Sequence, residues 1–117
     1  MRDFKRLEIW KRSHELTLKI YQITKSFPKD ELFGLTSQIR RSASSIPTNI
    51  AEGCGRNTNP QLKYFIEIAA GSYSELLYQI ILSKDLQYIS EIQFTQLYDE
   101  VLQVGKMLYS YSYSSKL

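Results

Sequence analysis

Between Gln38 and Arg56 the chain gathers three arginines, three serines, an asparagine, a glutamate and its single cysteine: Q-I-R-R-S-A-S-S-I-P-T-N-I-A-E-G-C-G-R. These residue types can attack carbonyls, bind phosphate or ligate metal, so each chemistry needs its partners. A serine nucleophile needs a base and an orienting acid, and no nearby histidine and aspartate accompany Ser42, Ser44 or Ser45. A dinuclear metal site in a helical bundle needs Glu-x-x-His pairs, whereas the only histidine, His14, has Lys11 three residues before it. His14 therefore reads as a structural side chain beside an apolar stripe. Cys54 between Gly53 and Gly55 reads as a small buried residue, with a reactive thiol as the alternative. Gly53-Cys54-Gly55 follows a helical pattern, while phosphate-cradling glycine loops follow a strand. No clustered carboxylates suggest a nuclease. The expectation is a non-enzymatic protein with no catalytic residues, no metal and no cofactor.

The polar residues have an order of their own. Gln38, Arg41, Ser45, Asn49, Glu52 and Arg56 recur at spacings of three and four. They form a stripe about 120° around a helix from the apolar stripe through Ile39 and Ile50. Such a stripe is either a solvated face or a hydrogen-bonded contact between subunits. Asn, Gln, Arg and Glu with small serines suit the second better than the Lys/Glu mixture of ordinary solvent faces. Gln38, Arg41, Ser45, Asn49 and Glu52 are the candidate interface residues.

Four helices must position this stretch. Apolar residues Ile9, Leu16, Ile20, Ile23 and Phe27 mark a first helix within Phe4 to Phe27. Pro28 ends it, and Asp30 is a plausible cap for the second. The second helix carries Leu32, Leu35, Ile39, Ala43, Ile46 and Ile50, with a kink expected at Pro47. Asn59 as cap and Pro60 in the first turn open a third helix reaching about Asp85. Its apolar surface is wider than one core needs, and Gly71 within it calls for a packing reason. Ser90 with Gln93 forms a capping box before a fourth helix with core positions Phe94, Leu97, Val101, Val104 and Leu108. Short connections make this an all-α, antiparallel up-down-up-down four-helix bundle over residues 1–108. Residues 109–117, with alternating tyrosine and serine, read as a frayed or disordered tail.

At 117 residues with 43% hydrophobic and 23% charged side chains, the chain fits one globular domain. A lone cysteine demands no oxidising compartment, and no apolar signal region opens the chain. A cytoplasmic protein without membrane contact is expected. The net charge of +3 is concentrated in residues 1–12, where five basic side chains face two acidic ones. Arg2, Lys5, Arg6, Lys11 and Arg12 are candidate phosphate contacts, with Arg40 and Arg56 as further candidates, although a basic terminus also occurs as plain solvated surface.

Several motifs carry a family resemblance. Glu31-Leu32-Phe33-Gly34-Leu35-Thr36-Ser37-Gln38-Ile39-Arg40-Arg41-Ser42-Ala43, followed by Ser45-Ile46-Pro47-Thr48-Asn49-Ile50-Ala51-Glu52-Gly53, resembles the signature of the 23S rRNA intervening-sequence proteins. Phe65 to Ser72, and Leu7-Glu8-Ile9-Trp10-Lys11, resemble that family's third- and first-helix motifs. The resemblance implies a bacterial up-down four-helix bundle that assembles as a ring-shaped homopentamer. A related group, accessory to retroelement reverse transcriptases, is a basic pentamer that binds nucleic acid. By that analogy the expected partners are copies of the chain itself and RNA or DNA. The alternative is a structural or adaptor oligomer that binds a protein partner and has no nucleic-acid affinity.

Overall fold

The computed structural model describes residues 2–112. A 3-10 turn at Phe4–Arg6 precedes α1, Glu8–Thr24. A second 3-10 turn at Lys29–Glu31 leads to α2, Leu35–Cys54, then α3, Asn59–Asp85, and α4, Glu91–Ser112. Successive contacts run in opposite chain directions, which makes a four-helix bundle. Thr17 meets Ala43 and Thr24 meets Arg40 across α1 and α2, while Gly53 lies against Leu62 and Ser42 against Glu75 across α2 and α3. Tyr73 covers Gly105, Lys84 covers Phe94, and Lys19 pairs with Glu100 at 2.5 Å, closing α4 on α3 and α1.

The apolar stripes meet on the bundle axis. Leu16, Ile20, Ile39, Ala43, Ile46, Ile50, Leu62, Ile66, Leu76, Ile80, Val101 and Leu108 are all buried. Removing these surfaces from water is the main favourable term in folding. Of the fourth-helix positions, Leu97, Val101, Val104 and Leu108 are buried and Phe94 is half-buried. Ser90 and Gln93 form the reciprocal capping box, with the Ser90 amide donating to Gln93 Oε1 at 2.9 Å and the Gln93 amide to Ser90 Oγ at 3.1 Å.

Three local expectations differ. The first regular helix begins at Glu8, not near Phe4, because Leu7 is extended. Leu32 is 51% exposed, and α2 begins after it. Its cap is not Asp30: the Glu31 carboxylate reaches past Gly34 and accepts the Leu35 amide at 3.1 Å. A Cβ on Gly34 would lie 2.7 Å from that carboxylate oxygen, so glycine opens the path. At α3 the cap is Thr58, whose hydroxyl accepts the Gln61 amide, one residue before the expected Asn59. Asn59 instead accepts a bond from Arg2.

Pro47 lies inside a helix that continues unbroken to Cys54. Proline has no amide hydrogen, so the Ala43 carbonyl loses its usual donor. The Thr17 hydroxyl, buried on α1, approaches that carbonyl at 3.1 Å while also lying 2.8 Å from the Ser13 carbonyl, so one proton is shared between two acceptors. Thr17→Val keeps the shape but orphans the Ala43 carbonyl. It is expected to lower stability by about 1–3 kcal/mol in urea unfolding, with an unchanged m-value. No loss would mean that the carbonyl is satisfied elsewhere.

The fourth helix continues through Ser112, with Tyr109 edge-on to Tyr73 at 6.5 Å. The remainder of the expected tail, residues 113–117, lies outside the described residues.

Candidate nucleic-acid interface

At one end of the bundle the N-terminal segment folds back over the α2–α3 junction. The Arg2 amide donates to the Cys54 carbonyl at 3.2 Å, and its guanidinium donates to Asn59 Oδ1 at 2.9 Å. Asp3 accepts the Lys5 amide at 3.1 Å, capping the Phe4–Arg6 turn. Phe4 packs edge-on against Trp10 at 5.0 Å. The turn is thereby fixed, and Lys5 and Arg6 project from it into solvent.

Beside this turn lies a cleft of about 900 Å³ between the start of α1 and the end of α4. Arg2, Arg6 and Lys106 line it, with Asp3 and Glu8 opposing them and Ile9, Met107 and Tyr111 forming apolar wall. Lys106 was not among the residues suggested by the sequence. It is far from the basic segment along the chain and reaches this end only because α4 returns beside α1.

The seven candidate cations do not form one cluster. Arg2, Lys5 and Arg6 share the N-terminal end, and Arg56, which follows Cys54 by two residues, is near them in the fold. Arg56 is ion-paired with Glu52 at 3.0 Å and stacks over the Phe65 ring at 4.7 Å. Lys11 is paired with Glu8 at 3.8 Å. Arg12 lies further along α1, in a cleft of about 270 Å³ with Glu15, Lys19 and Glu100. Arg40 is at the opposite end of α1, a 17-residue helix about 25 Å long. Its Nε donates to Thr24 Oγ1 at 2.8 Å, and its guanidinium lies 4.8 Å from the centre of the Tyr21 ring.

The α2 polar stripe is on the outside of the single chain. Gln38, Arg41 and Glu52 are exposed, Ser45 and Asn49 half-buried. Asn49 Nδ2 donates to the Ser45 carbonyl at 2.7 Å. Beside the stripe, α3 exposes Tyr64, Ile68 and Tyr78, together with Gly71 and Glu75, at alternating spacings of four and three. Glu75 accepts a hydrogen bond from the buried Ser42 of α2, which joins the two helix faces. Gly71 has open space where a Cβ would stand, so the expected packing reason is absent within the chain. Gly53 is different: a Cβ there would be 2.9 Å from Phe65 Cβ and 3.3 Å from the Leu62 carbonyl, so glycine permits the close approach of α2 to α3. Further along α3, Gln79 Oε1 is buried with no hydrogen-bond partner among the described residues.

His14 is stacked on Trp10 at 5.0 Å, and among the described residues no group of three or more His, Cys, Asp or Glu could hold a metal. Cys54 is buried. Burial pushes its thiol above the usual range, with Arg2 opposing the rise. Less thiolate at neutral pH means slow alkylation. Iodoacetamide is expected to label Cys54 only as fast as the chain opens, and rapid labelling of folded protein would contradict this burial.

A family model described as "23S rRNA-intervening sequence protein" matches residues 5–110. The fold is also similar to a crystal structure from Bacteroides thetaiotaomicron, described as a protein of unknown function from the S23 ribosomal protein family. The two share 23% identity and a TM-score of 0.84, over 91% of this chain and 96% of the other. No curated protein matches the chain. Among the described residues no helix is long and apolar enough to cross a membrane.

Proposed function

The chain belongs to the 23S rRNA-intervening sequence protein family, and from that premise we propose that it is a non-enzymatic cytoplasmic protein that assembles with copies of itself and binds RNA or DNA through a basic surface. The observation that carries the binding reading is the convergence of Arg2, Lys5, Arg6 and Lys106 at one end of the bundle. Cations on a fixed turn attract phosphate and release counterions without reading bases. In a ring of five chains, the assembly implied by the family resemblance, the +3 charge of each chain is repeated around the particle. The test is binding of labelled RNA and DNA at rising salt. A steep loss of affinity supports the reading, and no binding at about 50 mM salt overturns it.

The assembly reading rests on the joined α2 and α3 faces. Gln38, Ser45, Asn49 and Glu52 offer polar groups beside exposed Tyr64, Ile68 and Tyr78, with Arg41 at the edge. Gly71 makes a discriminating test. In a helix that meets nothing there, Gly71→Ala gains about 1 kcal/mol of helix propensity. In a contact between subunits, the added methyl displaces the neighbouring chain. The expected result is a smaller particle in sedimentation velocity, and higher stability with unchanged mass would remove Gly71 from the interface.

The adaptor alternative is favoured by the same exposed apolar residues. Copurification after nuclease treatment separates the two readings. A stoichiometric protein partner retained by a chain that binds no nucleic acid supports the adaptor.

A further inference from the structure

At the other end of α1, away from the basic turn, a second cleft of about 500 Å³ lies between the end of α1 and the start of α2. Its walls include Tyr21, Phe33, Thr36, Ser37, Arg40 and Arg41, and no carboxylate lines it. The larger cleft near the N-terminus opposes its cations with Asp3 and Glu8. This one presents two guanidinium groups, aromatic rings and hydroxyls, a combination suited to an anion attached to a flat ring.

Phe33 is 93% exposed, although it belongs to a turn that is held at several points. The Gly34 amide donates to the Glu31 carbonyl at 2.9 Å. The Glu31 carboxylate accepts from the Leu35 amide at 3.1 Å and from the Tyr88 hydroxyl at 2.9 Å. The ring is thus presented in water from a braced backbone, with nothing among the described residues covering it. Arg40 is fixed as well, by Thr24 Oγ1 and by the Tyr21 ring. No carboxylate lies within ion-pair distance of Arg41 among the described residues. A ligand here meets a Phe33 backbone and an Arg40 side chain that are already held, so these two need little ordering on binding.

We propose that this cleft takes an unpaired nucleotide of a single-stranded nucleic acid, its base stacked on Phe33 and its phosphate held by Arg40 and Arg41. The inference rests on the nucleic-acid reading above and narrows its ligand to strands with accessible base faces. Aromatic side chains bind bases through their faces, which every base possesses and which a duplex hides in its stack. Arginine supplies the phosphate contact in a planar fork. Thr36 and Ser37 add hydroxyls that can bond to sugar or phosphate oxygens. The basic turn at the opposite end contacts phosphates alone and does not distinguish strand from duplex.

The test uses the full chain, a fluorescein-labelled RNA of about 12 nucleotides that does not self-pair, and the same strand annealed to its complement. Phe33→Ala is expected to weaken binding of the single strand about tenfold and leave duplex binding unchanged. Phe33→Trp restores the stacking surface and is expected to restore the affinity. Because Phe33 is exposed, the alanine variant keeps the core intact. Unchanged single-strand affinity, or an equal loss for strand and duplex, overturns the base-stacking role while the phosphate reading stands. A particle of lower mass for Phe33→Ala in sedimentation velocity also overturns it, because the ring is then a contact between copies. Wild-type protein that binds neither ligand at about 50 mM salt overturns both readings together.

Discussion

Reversing the charge at Lys5 and Arg6 is expected to weaken RNA or DNA binding by about tenfold or more and to flatten its salt dependence. Each phosphate contact contributes about 0.7 to 0.9 to the log-log salt slope, so losing two per engaged chain removes roughly 1.4 to 1.8. Together with Arg12, which is exposed and carries no ion pair among the described residues, these two side chains are the most available of the seven candidates. Arg2 is bonded to Asn59, Lys11 and Arg56 are paired with Glu8 and Glu52, and Arg40 is held by Thr24. Both project from an exposed turn with no buried residue, so their replacement leaves the core untouched. Titration of the double variant against salt, beside wild type, is the measurement. An unchanged slope would place the phosphate contacts elsewhere.

The second large effect concerns assembly. Ile68→Arg is expected to convert the particle to single chains while leaving helical circular dichroism intact. Ile68 is 37% exposed and lies outside the buried stripe of Leu62, Ile66 and Ala69, so arginine is tolerated in an isolated bundle. In a contact between subunits the same guanidinium loses water without gaining a partner. That costs several kcal/mol, enough to weaken association about a hundredfold or more. Asn49→Ala on the adjoining α2 stripe is a milder companion, because its side chain already bonds to its own helix at Ser45. Sedimentation velocity across a concentration series reads both. Wild-type mass retained by Ile68→Arg would return the α2–α3 face to ordinary solvated surface.

Features that depend on a few neighbouring residues could be read from the chain. The Ser90–Gln93 box is local, since each side chain reaches an amide three residues away. The stripe from Leu35 to Ile50 follows from helical geometry alone. The caps of α2 and α3 were harder to place. Glu31 reaches the Leu35 amide only because Gly34 leaves the path open, and Asn59 is occupied by Arg2 from the start of the chain, 57 residues away. At those positions a competing contact overrides the local preference.

The sequence by itself determined four helices, the apolar face of each and a basic first segment, because periodicity and charge are properties of adjacent residues. Only the tertiary structure decided where the polar chemistry lies. It brought Lys106 beside Arg6, placed the Thr17 hydroxyl at the carbonyl freed by Pro47, and separated Arg40 from the N-terminal cations by the length of α1. It also left Phe33 in water next to two arginines, although its place in an apolar run gave no sign of this. The physical reason is range. A helix stripe is fixed within a few turns, whereas a site built from α1, α2 and α4 depends on how long-range packing rotates and aligns those helices.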